Sequence, residues 1–182
     1  MVHTPVTRLS AYDKDEKQWN VIIETPKGSR NKFKYDIKHG VFELSGVLPA
    51  GSSFPYDFGY LPSTVGEDGD PLDVLLLMDE PAFCGCLIPA RLIGVIEAKQ
   101  TEDGKTERND RLVAVSNNCR DWADCKSIKD LNSNLLHEIQ HFFVSYNEAR
   151  GKKFKVIGVG GPGRAEKIAK AGMKQFDAKG YG

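Results

Sequence analysis

The chain has 182 residues, of which 40% are hydrophobic and 27% are charged, a composition typical of a globular protein. We therefore expect one domain over residues 1–182. Its 25 basic and 25 acidic side chains cancel, which argues against nucleic acid or an anionic membrane as a partner. The N-terminus lacks a basic region followed by an apolar run, and no later stretch is long enough to span a membrane, so a cytoplasmic location is predicted.

The first part of the chain predicts short strands. Residues 18–24 form a predicted strand that ends at Thr25-Pro26, and residues 32–38 alternate between apolar and charged side chains, as a half-buried strand does. The segment 101–108 is rich in charge and contains Asp103-Gly104, which predicts a hairpin turn between two strands. Further strands are predicted at 41–44, 74–78, 92–97, 112–115 and 154–159.

Two helices are predicted after these strands. Apolar residues from Leu131 to Tyr146 share one face of a helix that ends before Gly151, and a second, weaker helix runs from about Arg164 to Phe176. Strands followed by helices predict an α+β fold. We expect a small, closed or nearly closed antiparallel β-barrel with the two α-helices packed outside it.

The most informative motif is an acidic turn at residues 67–74, with the sequence EDGDPLDV. Carboxylates that crowd together resist ionisation unless a cation joins them, and oxygen ligands without nearby thiol or imidazole groups suit Mg²⁺, Ca²⁺ or Mn²⁺. The alternative is a solvated acidic turn. A flexible turn, however, needs neither Pro71, which restricts Asp70, nor an apolar strand that begins directly after Asp73. An EF-hand does not fit, because Leu72 occupies the place of its required glycine.

A second motif, His137-Glu138-Ile139-Gln140-His141, matches the H-E-x-x-H pattern of zinc peptidases. The third zinc ligand is missing, since Val144 and Asn147 replace the glycine and the histidine of the extended pattern. Glu166 is the only plausible late carboxylate. We favour a polar helix face here and keep a zinc peptidase as an alternative function.

The segment 158–163 matches the G-x-G-x-x-G pattern of dinucleotide-binding proteins. Only 19 residues follow Gly163, which is too few for the rest of a nucleotide-binding unit. We interpret the segment as a tight turn from a strand into a helix.

The acidic turn resembles the D-G-D-P-x-D-V signature of the soluble, magnesium-dependent (type I) inorganic pyrophosphatases. The segments 22–26, 34–36, 54–60, 111–115 and 141–143 follow in the order of that family, and the resemblance covers roughly Gln18 to Val156. It implies a five-stranded barrel related to the OB fold and hydrolysis of pyrophosphate to two orthophosphates, with several Mg²⁺ ions per active site. For bacterial members it usually implies a homohexamer.

The resemblance also implies roles for individual residues. Asp70 would accept the proton of the attacking water. Three side chains would bind phosphate oxygens: Lys34, Arg111 and Tyr146. The implied metal ligands are Asp68, Asp73 and an acid near Asp110, a further ligand from Glu102 or Asp103, and Glu24 acting through a metal-bound water.

Several positions depart from the commonest pattern of the family. Gly46 or a neighbour stands where an arginine is expected, Asn147 replaces a lysine, and Asp36 shortens the usual glutamate. Phenylalanines replace two tyrosines, at Phe54 and Phe58. Side chains that could compensate for the missing phosphate-binding groups are Lys152, Lys153 and Arg108.

The third metal ligand is a further departure. The best register places Asn109, rather than Asp110, in the acidic position, so both residues remain candidates to face the metals. A homologue that binds metal and phosphate without turnover is therefore a second hypothesis beside hydrolysis.

Overall fold

The computed structural model describes residues 6–180. The strands are Tyr12–Asp13 (β1), Gln18–Thr25 (β2), Asn31–Asp36 (β3), Val41–Val47 (β4), Asp57–Tyr60 (β5), Asp73–Leu77 (β6), Leu87–Glu102 (β7), Lys105–Arg108 (β8), Arg111–Ser116 (β9) and Lys153–Gly160 (β10). The α-helices are Ser133–Glu148 (α1) and Pro162–Ala178 (α2), and short 3₁₀ helices lie at Val6–Arg8 and Ile128–Asp130.

Five strands form a closed ring. Their order is β2, β5, β6, β9 and β7, and pairing between β7 and β2 closes the barrel. The pairs are antiparallel except for β6 and β9, which run parallel because the long β7–β8 hairpin separates them in the chain. Strands β1, β8 and β10 extend the sheet, while β3 and β4 form a separate hairpin. The predicted α+β fold with a five-stranded barrel is confirmed, and the parallel pair is the exception to the expected antiparallel order.

Strand β6 carries the core on both of its faces. Leu75 and Leu77 belong to a buried cluster that also contains Phe143 of α1, whereas Leu76 belongs to a second cluster that contains Ala169 of α2. A strand covered on both faces is an uninterrupted apolar run, which is why residues 74–78 have no polar alternation. The acidic turn that precedes β6 is thus attached to a strand that is buried on both faces.

The helices begin and end close to their predicted positions. The Asn132 side chain caps α1 by accepting a hydrogen bond from the Asn134 amide at 2.8 Å, and Pro162 opens α2. The glycine-rich segment 158–163 lies where β10 turns into α2, which confirms the predicted strand-to-helix turn. Within residues 6–180, neither helix has the length and apolar character needed to cross a membrane.

Candidate active site

The acidic turn has a defined backbone. The Gly66 amide donates to the Asp70 carbonyl at 2.8 Å, and the Asp70 amide donates to the Asp68 carboxylate at 3.2 Å. Gly69 has a φ of +90°, a left-handed conformation that favours glycine and reverses the chain between the two aspartates. A side chain on Gly66 would also begin 2.9 Å from the Asp68 Oδ1 atom. The turn therefore holds the Asp68 carboxylate close to its own backbone.

Helix α2 anchors this turn from behind. The Gly172 carbonyl accepts a hydrogen bond from the Val65 amide at 3.1 Å. A Cβ atom on Gly172 would lie only 2.6 Å from Leu72 Cδ1, so the absence of a side chain there lets the turn pack directly on the helix. The far C-terminal helix thus positions the acidic turn, although it contributes no charged group to it.

Arg111 is fixed beside Asp73. One guanidinium nitrogen lies 2.6 Å from the Asp73 carboxylate, and the same nitrogen contacts the Asn109 side-chain oxygen. The guanidinium also lies over the rings of Phe143 and Phe154, at 5.5 and 5.3 Å, and Arg111 is only 4% exposed. Its Nε atom is buried without a hydrogen-bond partner among residues 6–180. This cation is therefore held rigidly at the inner wall of the site.

A second buried cation comes from β3. Lys32 Nζ lies 2.9 Å from the Glu24 carboxylate, and both side chains are about nine-tenths buried, with 10% and 12% exposure. The ammonium group also lies 4.5 Å from the centre of the Phe58 ring. The other Glu24 oxygen accepts the Tyr35 amide at 3.0 Å. Glu24 thus links the barrel to the β3–β4 hairpin and holds Lys32 in the site.

The structure does not bring Lys34 to this cluster. Its side chain is 56% exposed and lies 3.7 Å from Glu43 on β4. The phosphate-binding role of Lys34 therefore stays a prediction without support from its position, and Lys32 is the lysine that β3 directs inward. The Asp36 carboxylate contacts His39 in the hairpin turn.

Burial and neighbouring negative charges raise the pKa values of two acidic side chains. Burial, together with the negative charge of Asp73, raises the pKa of Asp68 to about 6. Burial also raises the pKa of Asp73, while the positive charge of Arg111 opposes that shift. Carboxylates that are both desolvated and close to one another favour a bound cation, so the electrostatics agree with the metal site predicted from sequence.

A pocket lies between the acidic turn and the β7–β8 hairpin. Its wall includes Asp68 together with Glu102 and Asp103 from the hairpin and the amide side chains of Gln100 and Asn109. The Asn109 side-chain Nδ2 donates to the Gln100 side-chain oxygen at 3.2 Å. Glu102 forms an ion pair with Lys152 at 2.7 Å and is half exposed. A neutral amide, that of Asn109, thus lies in the pocket at the position where the sequence predicted a third acidic ligand.

Asp110 does not face this pocket. Its carboxylate accepts hydrogen bonds from Arg108 Nε at 2.6 Å and from the Ala98 amide at 2.9 Å. Both bonds turn the side chain toward the barrel wall, so of the two candidates Asn109 is the one that lines the pocket, and a metal role of Asp110 stays a prediction without support from its position. Arg108 forms ion pairs with Asp110 and Glu97, so its charge is already neutralised and does not replace a missing phosphate-binding group.

Tyr146 lies at the end of α1 beside an aromatic layer. Its ring is 5.6 Å from Phe54, and its hydroxyl accepts a hydrogen bond from Arg150 at 2.7 Å. Phe54 and Phe58 are buried in this layer, at a ring distance of 5.6 Å. Asn147 is buried and donates to the Phe143 carbonyl at 2.8 Å, so it has a structural role inside α1.

The histidine motif forms no zinc site. His137, Glu138 and His141 are exposed on α1. The ring of His141 forms a hydrogen bond with the Ser145 hydroxyl at 3.3 Å. Throughout residues 6–180, no three side chains of the types His, Cys, Asp and Glu are grouped closely enough to hold an ion as they stand. The zinc peptidase alternative therefore has no geometric support.

Comparison with known proteins identifies the family. The sequence profile described as inorganic pyrophosphatase matches residues 21–177, which is most of the chain. The chain belongs to the inorganic pyrophosphatase family. It is 37% identical over 174 residues to the inorganic pyrophosphatase of Leifsonia xyli, covering 95% of this chain and 100% of that protein. It is also 40% identical over 139 residues to that of Synechocystis sp., covering 76% and 80% of the two chains.

A solved pyrophosphatase has the same architecture. The crystal structure of the inorganic pyrophosphatase from Thermus thermophilus matches with a TM-score of 0.86 at 30% identity, covering 96% of this chain and 99% of that one. The barrel, the helices and the acidic turn therefore belong to a pyrophosphatase fold over nearly the full length.

Three polar residues that contact or adjoin the predicted site residues were not predicted from the sequence. Lys32 had a usable signal, because it shares the polar face of β3 with Lys34. Gln100 lies in the long strand β7 next to Asn109 of the following strand, a proximity that only the hairpin register reveals. Arg150 follows α1 by two residues, one helical turn after Tyr146, which could have placed the two side chains together.

Proposed function

We propose that this pyrophosphatase-family chain hydrolyses inorganic pyrophosphate to two orthophosphates. The observation that carries the proposal is the rigid acidic turn of Asp68, Asp70 and Asp73, with the buried cations of Arg111 and Lys32 beside it. Carboxylates suit a divalent metal, and the metal and side-chain cations together suit a substrate of dense negative charge. Membership of the family and the names of its curated members support the same reaction.

The residues present fit a hard divalent cation such as Mg²⁺. Asp68 and Asp73 offer two carboxylates whose pKa values are raised by burial and, for Asp68, also by the negative charge of Asp73. Mg²⁺ is commonly held by one or two carboxylates, water and substrate phosphates rather than by a complete protein cage. Glu102 and Asp103 line the adjoining pocket and are secondary candidates, while Glu24 is already paired with Lys32. When bound, the ion would supply charge neutralisation at the phosphate oxygens and would acidify a water.

The side chains of the chain itself would perform the remaining steps. Asp70 is exposed at the tip of the turn and would accept a proton from the attacking water while the water oxygen bonds to one phosphorus. The bond from that phosphorus to the bridging oxygen breaks, and the second phosphate leaves with the bonding electron pair. Lys32 and Tyr146 would bind phosphate oxygens, which stabilises the charge that builds on them. Arg111 would hold Asp73 in place and contribute positive charge behind the reacting group.

Two neighbouring carboxylates provide a matched test. Asp70→Asn and Glu67→Gln each remove one charge from an exposed position of the same turn. We expect Asp70→Asn to reduce magnesium-dependent phosphate release from pyrophosphate by at least about 100-fold, the range of a general base. Glu67→Gln should stay within a few-fold of the wild type. Equal activity of the two variants would contradict the role of Asp70, and circular dichroism would show whether both are folded.

The amides of the hairpin pocket favour one competing function. Asn109 provides no charge where an acidic ligand was expected, and Phe58 supplies no hydroxyl. A protein with weakened metal binding could retain phosphate recognition and lose turnover. Calorimetry that detects magnesium-dependent pyrophosphate binding, without release of phosphate, would favour this binding function over hydrolysis.

We infer that the chain forms a homohexamer in the cytoplasm. The resemblance to bacterial pyrophosphatases supports the assembly. Contact with another subunit would also bury exposed apolar side chains of the β3–β4 hairpin, at Ile37, Val41, Leu44 and Val47. Light scattering should give six times the 20.2 kDa of one chain, and the mass of a monomer would contradict the assembly. Cell fractionation would test the location.

A further inference from the structure

Arg150 lies at an unusual place for a surface cation. Its guanidinium donates to the Tyr146 hydroxyl at 2.7 Å and lies 5.4 Å from the centre of that ring. The side chain is exposed, yet within residues 6–180 it forms no ion pair with a carboxylate. Tyr146 therefore orients an arginine whose positive charge is left unneutralised by the protein.

The glycine at position 46 makes room for this guanidinium. A Cβ atom on Gly46 would lie 3.7 Å from the Arg150 NH1 atom, an ordinary contact distance. The guanidinium therefore occupies the space into which any larger side chain at position 46 would extend. The two strands of the hairpin and the end of α1 meet at this point, although they are far apart in sequence.

The hairpin register places this space on the same face as Lys32. Gly46 of β4 is the cross-strand partner of Lys32 on β3, and partners in a ladder project their Cβ atoms to the same side. Lys32 lies on that side with Glu24, next to Phe58. The Arg150 guanidinium is thus on the face of the hairpin that borders the candidate active site, and not on its outer surface.

We propose that Arg150 is a substrate-binding residue whose guanidinium binds the phosphate group of pyrophosphate farthest from the acidic turn. The inference rests on the proposed pyrophosphatase function and assigns one further residue to it. A guanidinium presents paired N–H donors that match the oxygens of a phosphate, and one of its nitrogens is already oriented by Tyr146. Lys32 and Arg150 would then bind one phosphate between them across the bare backbone of Gly46.

Binding measurements test this proposal independently of turnover. The probe is imidodiphosphate, in which nitrogen replaces the bridging oxygen, titrated calorimetrically into the full chain in the presence of Mg²⁺. Arg150→Ala should weaken its affinity by about 10- to 100-fold, the value of one charge-assisted contact. Arg150→Lys should fall between the wild type and Arg150→Ala, because a lysine retains the charge and loses the paired donors. Lys155→Ala is the matched control, since it removes one exposed positive charge five residues away.

A transplanted arginine tests the location of the contact. Gly46 has an ordinary backbone conformation, so Gly46→Arg introduces no left-handed strain. In the Arg150→Ala background it should restore at least part of the lost affinity, because the new side chain begins where the Arg150 guanidinium ends. An affinity that stays unchanged on adding Gly46→Arg would overturn the placement of the anion beside Gly46.

The outcomes separate this inference from the proposed function. Equal weakening by Arg150→Ala and Lys155→Ala would overturn the inference, even if the wild type hydrolyses pyrophosphate. Arg150-dependent binding by a wild type that releases no phosphate would support the inference and overturn the proposed hydrolysis. In an active enzyme, we also expect Arg150→Ala to raise KM more than it lowers kcat, whereas a loss confined to kcat would contradict a binding role.

Discussion

We expect substitutions of two lysines on the same strand to have different effects on stability and activity. Lys32 and Lys34 lie on β3, but Lys32 has 10% side-chain exposure and an ion pair of 2.9 Å, whereas Lys34 has 56% exposure and a pair of 3.7 Å. Replacement by methionine removes the charge of each and keeps most of the apolar stem. We expect Lys32→Met to damage both stability and activity and Lys34→Met to affect neither.

The magnitude follows from what the lysine leaves behind. Without Lys32, the Glu24 carboxylate remains buried with the Tyr35 amide as its nearest hydrogen-bond donor. Removing one partner of a buried ion pair costs about 3–5 kcal/mol, and we take about 3 kcal/mol because that amide remains. A chain of this size loses about 2–4 °C of melting temperature per kcal/mol, so Tm should fall by about 6–12 °C. For Lys34→Met the expected change is below about 2 °C, because the pair is exposed.

Calorimetry at one protein concentration measures these shifts, and phosphate release measures activity. Lys32→Met should lower kcat/KM by about 10- to 100-fold, since a charge-assisted contact to phosphate is lost. Adding Glu24→Gln should recover much of the melting temperature, because the uncompensated charge is removed, without recovering activity. Equal effects of the two lysine variants on Tm and activity would refute the assignment of Lys32 to the site.

Two further predictions concern the acidic groups. Asn109→Asp adds a carboxylate to the pocket of Asp68. We expect this substitution to tighten Mn²⁺ binding by about tenfold, as measured by electron paramagnetic resonance. An unchanged affinity would show that Asn109 does not face the ion. The second prediction applies to the protein kept metal-free by chelation, in which burial raises the pKa of Asp68 to about 6. Above that pH the ionised carboxylate destabilises the folded state. This penalty disappears as the pH falls toward the ordinary pKa of an aspartate. Asp68→Asn should therefore raise Tm at pH 8 and leave it nearly unchanged at pH 4; a gain that is equal at both values would contradict a charge effect.

The barrel and the acidic turn were predictable because their signals are local. An apolar run such as residues 74–77 indicates a buried strand wherever it pairs, and the aspartates around Gly69 and Pro71 define a turn by themselves. The parallel pairing of β6 and β9 was not predictable in this way. It depends on how the long β7–β8 hairpin crosses the barrel, which periodicity does not encode.

Side-chain direction limited the prediction of the site. Alternation along β3 separates polar from apolar positions, but it does not rank Lys32 and Lys34, which share a face. The distinction comes from Glu24 and Phe58 on other strands. Asp110 shows the same limit, because the amide of Ala98 and the Arg108 side chain, and not its place in the sequence, turn its carboxylate away from the pocket.

The most direct test of the central claim is phosphorus NMR of pyrophosphate incubated with the folded wild-type protein and Mg²⁺. If Asp68 and Asp73 hold the ion beside Lys32 and Arg111 as proposed, the pyrophosphate resonance should disappear while orthophosphate grows to twice its molar amount. A chelator should stop the reaction. Pyrophosphate that persists unchanged with the folded protein, across neutral and alkaline pH and millimolar Mg²⁺, would contradict the proposed function.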